Sequence, residues 1–314
     1  MLNRRHLLAG LAAGFSLPLP AFAQETVPVV ASFSILADFV REVGGGRVSV
    51  TALVGPDGDA HVYSPTPADA KAVAAAKLIL VNGLNFEGWL PRLMRSAAAK
   101  GTVVTATKGI TPLEADEDHD HGHDHKHGHK HAHDHGDHDP HAWQDVGNAK
   151  IYVANIRDAL IAADPAGKEA YTANAEVYLA RLTTLDGEIK AAVARIPEAR
   201  RKAITSHDAL AYFAKAYGIA FLAPQGVSTE AEASARDVAR IIRMAKADKV
   251  PAVFMENITN PRLIEQIARE SGARIGGRLY SDALSAQGGP AGTYIAMMKH
   301  NISEIEKALS AGPA

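Results

Sequence analysis

The chain predicts an α/β protein of two similar lobes, each a mostly parallel sheet flanked by helices, joined by one long linker helix. Three observations carry this. Short apolar runs alternate with amphipathic stretches over residues 27–104 and again over 203–309, the rhythm that builds parallel sheets. Between them Tyr171, Ala175, Tyr178, Leu182, Leu185, Ile189, Val193 and Ile196 recur at spacings of three and four up to Pro197, one apolar stripe on one helix. Finally, 314 residues suit about two domains of roughly 100–200 residues each.

In the first half, Val27 to Ser32 reads as a buried strand and Leu36, Phe39, Val40 and Val43 as the inner face of a helix that Gly44-Gly45-Gly46 ends. Val48 to Val54 is a second strand, closed by Gly55-Pro56-Asp57-Gly58; an alanine-rich helix follows from Pro67, then a strand at Leu78 to Val81. Trp89, Leu90 and Leu93 mark another helix, and Val103-Val104 a fourth strand. Asp145 is placed to cap a helix carrying Ala149, Val153, Ile156 and Leu160. Asp164-Pro165 then starts the long helix, with proline at its first position. At 1.5 Å per residue it spans about 45 Å, more than one small domain needs, which suits a strut between lobes. A coiled-coil seam would share the stripe, but Gly187 and the α/β text on both sides speak against it.

In the second half, Ala203 to Thr205 is a strand that delivers Ser206-His207-Asp208, and Ser234 caps a helix carrying Val238, Ile241 and Ala245. Val250 to Phe254 leads to Glu256-Asn257, Asn260-Pro261 opens a helix that Gly272 ends, Arg278 to Tyr280 leads to Ser281-Asp282, and a last helix runs from Thr293 to Leu309. The expected division is a signal peptide over 1–23, a first lobe over 24–164 containing a disordered histidine-rich loop at 116–138, a linker helix over 165–196 and a second lobe over 197–314.

Composition narrows the function. Apolar residues make up 47% and charged residues 22%, and the formal net charge is −2. That is an ordinary globular balance, with no basic field to draw in nucleic acid or anionic lipid. There is no cysteine, which removes disulfides, thiolate metal sites, a cysteine nucleophile and a lipidated cysteine. A metal could be held only by imidazole and carboxylate. Arg4-Arg5, the short apolar run Leu7 to Pro20 and Ala21-Phe22-Ala23 form a cleavable export signal; N-R-R-H-L-L resembles a twin-arginine signal, and Sec export is the alternative. The expected mature chain starts at Gln24 and is soluble in a periplasm.

Eleven of the fifteen histidines fall between His119 and His141. Ten of them alternate with Asp, Gly and Lys in a tract that cannot build a core. The eleventh, His141, stands where the apolar text resumes at Ala142-Trp143. Outside the tract, His6 lies in the signal and His300 in the last helix, where a surface or satisfied role is the ordinary one. His61 and His207 each follow a predicted strand, as does Asp282. In such folds ligands gather at the carboxyl ends of strands, so His61, His141, His207 and Asp282 are candidates to converge between the lobes on one metal. Taken singly, each has a plain reading: a loop histidine is usually not a ligand, and Asp282 could start a turn.

The motifs D-A-H-V-Y-S-P-T-P-A-D at 59–69, L-V-N-G-L-N-F-E-G-W-L at 80–90, D-P-H-A-W-Q-D at 139–145, T-S-H-D-A-L-A-Y-F at 205–213, G-V-S-T-E-A-E at 226–232 and Y-S-D-A-L-S at 280–285 together resemble the zinc-binding solute-binding proteins of ABC importers, grouped with manganese-binding adhesin-type homologues. The resemblance spans essentially the whole mature sequence. It implies a metal between the lobes and places its ligands at His61, His141, His207 and Asp282. In manganese members the position of His207 is a glutamate. Three nitrogens and one carboxylate suit Zn²⁺, while Mn²⁺ prefers more oxygen. Two departures stand out: a second-lobe disulfide of some zinc members is missing, and Ala60 supplies no carboxylate beside His61.

The expected function is therefore Zn²⁺ capture, with Zn²⁺ as cargo, and delivery to an ABC permease and ATPase at the inner membrane. The protein is expected to be a monomer that binds no nucleic acid, with a zinc metallochaperone as a possible donor. The alternatives are a zinc buffer or metallochaperone without a permease, a Mn²⁺ receptor, and a zinc hydrolase with Glu256 as base. No H-E-x-x-H signature supports the last. Because ligation needs neutral imidazole, affinity is expected to weaken as pH falls through about 6.5. Loop Gly226 to Ala235 is the expected place for metal-linked ordering, and the tract an auxiliary capture device.

Overall fold

The computed structural model describes residues 26–115 and 138–311. The expected signal at 1–23 and the histidines from His119 to His135 lie outside them. The first sheet has strands β1 (Val27–Phe33), β2 (Val48–Val54), β3 (Leu78–Val81) and β4 (Thr102–Thr105), parallel throughout, in the order β2-β1-β3-β4. Its central strands explain their sequence: all of β3 and nearly all of β1 are buried, because helices cover both faces of a parallel sheet. The edge strands β2 and β4 are mostly half-buried or exposed. Helices α1 (Ser34–Gly44), α2 (Pro67–Ala75) and α3 (Leu90–Ser96) connect these strands, and α4 (Val146–Ala163) leaves the lobe.

After the long helix α5 (Lys168–Arg195) the plan repeats. Strands β5 (Lys202–Ile204), β6 (Ala220–Leu222), β7 (Ala252–Glu256) and β8 (Arg274–Leu279) are parallel in the order β6-β5-β7-β8. Helices α6 (Ala211–Tyr217), α7 (Ala235–Ala247) and α8 (Arg262–Ser271) connect them, and α9 (Tyr294–Ser310) closes the chain. Each sheet thus reverses its winding between its first and third strands, and both open the carboxyl ends of their strands toward the seam between the lobes. The pair α6 and β6 has no counterpart in the sequence expectation, since seven and three residues are too few to display a period. No helix among the described residues is long and apolar enough to cross a membrane.

Two boundaries differ from expectation for local reasons. The long helix starts at Lys168 instead of Pro165, because Pro165–Gly167 forms a 3-10 turn. Asp164 cannot cap the helix: its Oδ2 accepts from Arg47 at 2.6 and 3.0 Å and from the Tyr171 hydroxyl at 2.8 Å. Gly167 is needed there, since a Cβ would lie 2.4 Å from the Tyr171 ring and 2.5 Å from Arg47 Nε. Ile196 turns extended ahead of Pro197, as the residue before proline must. The expected histidine-rich loop at 116–138 lies outside the described residues except for its last member: His138 pairs with Glu114 in an antiparallel bridge, and Asp139 N–H donates to Leu113 O at 2.9 Å.

The long helix packs on α1 and α4 of the first lobe and on α9 of the second. Tyr171, Tyr178, Leu182, Leu185 and Ile189 on its inner face are buried and belong to one apolar cluster that runs without interruption through both lobes. In the seam Phe33 meets Trp143 at 4.9 Å and Phe39 meets Tyr294 at 4.7 Å between ring centres. Polar contacts cross the seam too: Tyr294 N–H donates to Asp38 at 2.8 Å and the Tyr294 hydroxyl to Trp143 O at 2.7 Å. Leu182→Ala should empty part of this core and lower unfolding stability by about 2–5 kcal/mol with little change in denaturant slope; a loss under 1 kcal/mol in urea unfolding would show that the stripe is not the core contact described.

Candidate metal centre

Four side chains converge in the seam. His61 lies in the loop after β2, His141 opens a 3-10 turn at Ala142–Gln144, His207 follows β5, and Asp282 follows β8. One ligand-type atom from each lies within 4.8 Å of all the others. His61 Nε2 is 3.3 Å from His141 Nε2 and 3.1 Å from Asp282 Oδ2; His207 Nε2 is 3.2 Å from Asp282 Oδ2, and His141 Nε2 is 3.6 Å from Asp282 Oδ1. Zinc bound at about 2.0–2.2 Å has tetrahedron edges of about 3.3–3.6 Å. The close pairs lie near those edges and all four atoms fall within 4.8 Å of one another, near enough for one ion to reach them together. All four sequence candidates are brought together; His138 is exposed and stands outside the group, and His300 Nε2 donates to Arg278 O at 2.9 Å.

Local structure sets each donor. Asp59-Ala60-His61 and Asp139-Pro140-His141 make the same turn, in which the histidine N–H donates at 2.9 Å to the carboxylate two residues earlier. Asp139 Oδ1 also lies 2.7 Å from His141 Nδ1, and Asn82 Nδ2 donates to Pro140 O at 2.9 Å. Glu256 Oε1 accepts from the N–H groups of Ser206 and His207 at 2.7 and 3.0 Å, while its Oε2 stands 2.7 Å from His207 Nδ1. Such a carboxylate behind the ring makes the far nitrogen the metal-facing one. Trp143 Nε1 and Gln144 Nε2 donate to Ser281 O at 3.0 and 2.7 Å, tying the His141 turn to the Asp282 loop of the other lobe. Glu256, considered above as a hydrolytic base, is occupied as this support.

His141, His207 and Asp282 are fully buried, and His61 keeps 5% side-chain exposure. A cleft of about 1330 Å³, lined among others by His61, Tyr63, Trp89, His138 and Glu230, reaches the site from that side. Asp59, Asp139 and the bracing role of Glu256 were not foreseen, although the repeated D-x-H spacing was available as a signal.

Burial and charge pull the site in opposite directions. Burial alone would lower all three imidazoles, and in His61 it does. In His141 burial is outweighed by Asp282 and Asp139, which push it up to about 9; in His207 it is outweighed by Glu256 and Asp282, which raise it well above the ordinary value. Asp282 is held far below the carboxylate range despite its burial, by His141 and His207. The metal-free site thus carries protons at neutral pH where a metal would carry its charge.

A model of the zinc-uptake complex component A, periplasmic, matches residues 29–308. The manganese-binding lipoprotein MntA of Halalkalibacterium halodurans is 37% identical over 287 residues, 91% of this chain and 89% of that protein. The iron-binding protein YfeA of Yersinia pestis is 34% identical over 289 residues, 92% and 88% of the two chains. Among solved structures, the periplasmic zinc binding protein TroA of Treponema pallidum superposes with a TM-score of 0.81 at 30% identity, over 91% of this chain and 100% of that one.

Protons on His141 and His207 must leave before their nitrogens bind a metal, so affinity should keep rising up to about pH 9, well above the 6.5 range expected from sequence. The slope should be about tenfold or more per pH unit. Calorimetry of Zn²⁺ binding at pH 7.5 in buffers of different ionisation enthalpy counts the protons released; a count near zero would contradict this electrostatic balance.

Proposed function

The chain belongs to the family of periplasmic zinc-uptake complex components, non-enzymatic metal-binding receptors of ABC importers, and we propose that it captures Zn²⁺ in the periplasm and delivers it to an inner-membrane permease and ATPase. His61, His141, His207 and Asp282 are the proposed ligands. The observation that carries the zinc reading is the donor set, three imidazole nitrogens and one carboxylate within 4.8 Å of one another. Four side-chain donors with no open position suit a carrier, since catalytic zinc sites keep one place for water. Manganese favours six oxygen-rich donors, which these four side chains do not offer.

Residues 1–23 are the proposed signal, removed on export, with residues 24–164 and 197–314 forming the lobes and a monomer as the working unit. Several relatives are named lipoproteins; this sequence has no cysteine to carry a lipid, which supports a receptor free in the periplasm. A manganese receptor is the second reading, favoured by the 37% identity to a protein named manganese-binding.

Raw affinity does not separate the two, because almost any nitrogen–oxygen site prefers Zn²⁺ to Mn²⁺. Metal content does: protein isolated from the periplasm of cells supplied with both ions should carry about one zinc per chain and little manganese. Predominant manganese would overturn the zinc assignment. In a chelator-competition titration Asp282→Ala should weaken Zn²⁺ binding about a hundredfold or more, because it removes the single charged donor and leaves three imidazoles.

A further inference from the structure

The four donors are not held equally, and we infer that Asp59, acting through Thr229, is the positioning residue that sets how fast the metal leaves. This rests on the ligand set proposed above. The two D-x-H turns are alike in backbone but differ in where the carboxylate is used. Asp139 turns the oxygen that accepts the histidine N–H onto the His141 ring as well, and Glu256, whose Oε1 accepts the His207 N–H, sets its other oxygen 2.7 Å from His207 Nδ1. Asp59 turns its second oxygen away from its histidine, to Thr229 Oγ1, which donates at 2.6 Å. No polar group stands against His61 Nδ1 among the described residues.

His61 is therefore fixed through its backbone, and that backbone is fixed across the seam. Thr229 is itself tethered. Gln225 Nε2 donates to the carbonyls of Thr229 and Ala231 at 3.2 and 2.7 Å, and Gln225 pairs in a parallel bridge with His207. A continuous chain, His61–Asp59–Thr229–Gln225–His207, joins a ligand of one lobe to a ligand of the other. It lies beside the cleft that reaches His61, the one ligand with residual exposure. The His61 loop is also held to the second lobe at Asp57, whose N–H donates to Leu284 O at 2.9 Å and whose Oδ1 accepts from Asn257 at 3.0 Å. Losing the Thr229–Asp59 hydrogen bond therefore releases the His61 end of the loop, pivoting at Asp57, while the other three donors keep their supports. His61 is then the first ligand to leave and the last to arrive.

The test is stopped-flow transfer of Zn²⁺ to excess chelator from wild type, Thr229→Val and Thr229→Ser, with His61→Ala as reference. Thr229→Val should release zinc roughly tenfold faster or more, the effect of one lost hydrogen bond to a charged acceptor, with association within about twofold of wild type. Thr229→Ser should restore the slow rate, and the metal-free melting temperature should be the same in all three. Equal release from Thr229→Val and wild type, while His61→Ala loses tight binding, overturns the latch and leaves the ligand set standing. A lowered melting temperature that serine does not restore also overturns it, since that is the mark of a merely structural contact. Unchanged affinity in His61→Ala overturns the ligand set and the latch together.

Discussion

One buried carboxylate facing three imidazoles is the constraint from which the rest of this structure follows. Asp282 has no exposure and lies within 3.6 Å of three ring nitrogens. An isolated charge there would be strongly unfavourable, and a buried ion pair gains little unless its remaining hydrogen bonds are met. The surrounding protein meets them in part from behind the rings: Asp139 accepts from His141 Nδ1 and Glu256 Oε2 stands 2.7 Å from His207 Nδ1, while Asp282 Oδ1 is buried without a hydrogen-bond partner among the described residues. Those two carboxylates add negative charge to the pocket, so its lowest-energy occupant is a cation. Protons serve when no metal is bound, and a divalent ion replaces them.

A site of this kind requires donors that do not drift, and the fold supplies that rigidity from three directions. The parallel sheets deliver His61, His207 and Asp282 from the ends of β2, β5 and β8. The aromatic seam of Phe33, Phe39, Trp143 and Tyr294 locks the His141 turn against both lobes. The long helix α5 then binds α1, α4 and α9 into one body. Of the histidine tract only His138 lies among the described residues, where it pairs with Glu114.

Much of this was legible in the sequence, and the rest was hidden for identifiable reasons. Buried strands such as Leu78 to Val81 and the stripe on α5 announce themselves because their burial imposes a period over enough residues. The four converging residues were legible because strand-end placement and motif resemblance agreed on His61, His207 and Asp282, while the resemblance and a place at the edge of the tract agreed on His141. The 3-10 turn before Lys168 was not, because it depends on Arg47 drawing Asp164 away from its capping role, 117 residues distant in the chain. Glu256 was noticed only as the base that the hydrolase alternative would need, and its support of His207 was not read. A carboxylate after a strand reads identically as a base or as a support, and only its 2.7 Å approach to His207 Nδ1 decides.

The same contacts bear on how a metal could leave a site so enclosed. Opening the lobes as rigid bodies would draw Phe33, Trp143 and Tyr294, all essentially unexposed, out of a shared core. At about 1.5–3 kcal/mol for each large side chain returned to water, several such residues together exceed the net stability margin that one binding event can easily shift. Moving the His61 loop disturbs less apolar surface: Ala60 is buried and the His61 ring packs on Phe86 at 4.8 Å, but Val62 beside it is already half exposed. What that loop must surrender is a few hydrogen bonds, each with a net contribution of about 0.5–3 kcal/mol, and water can replace them at once. The energetic difference favours local release at the first-lobe loop over separation of the lobes, and it assigns the long helix the task of keeping them together.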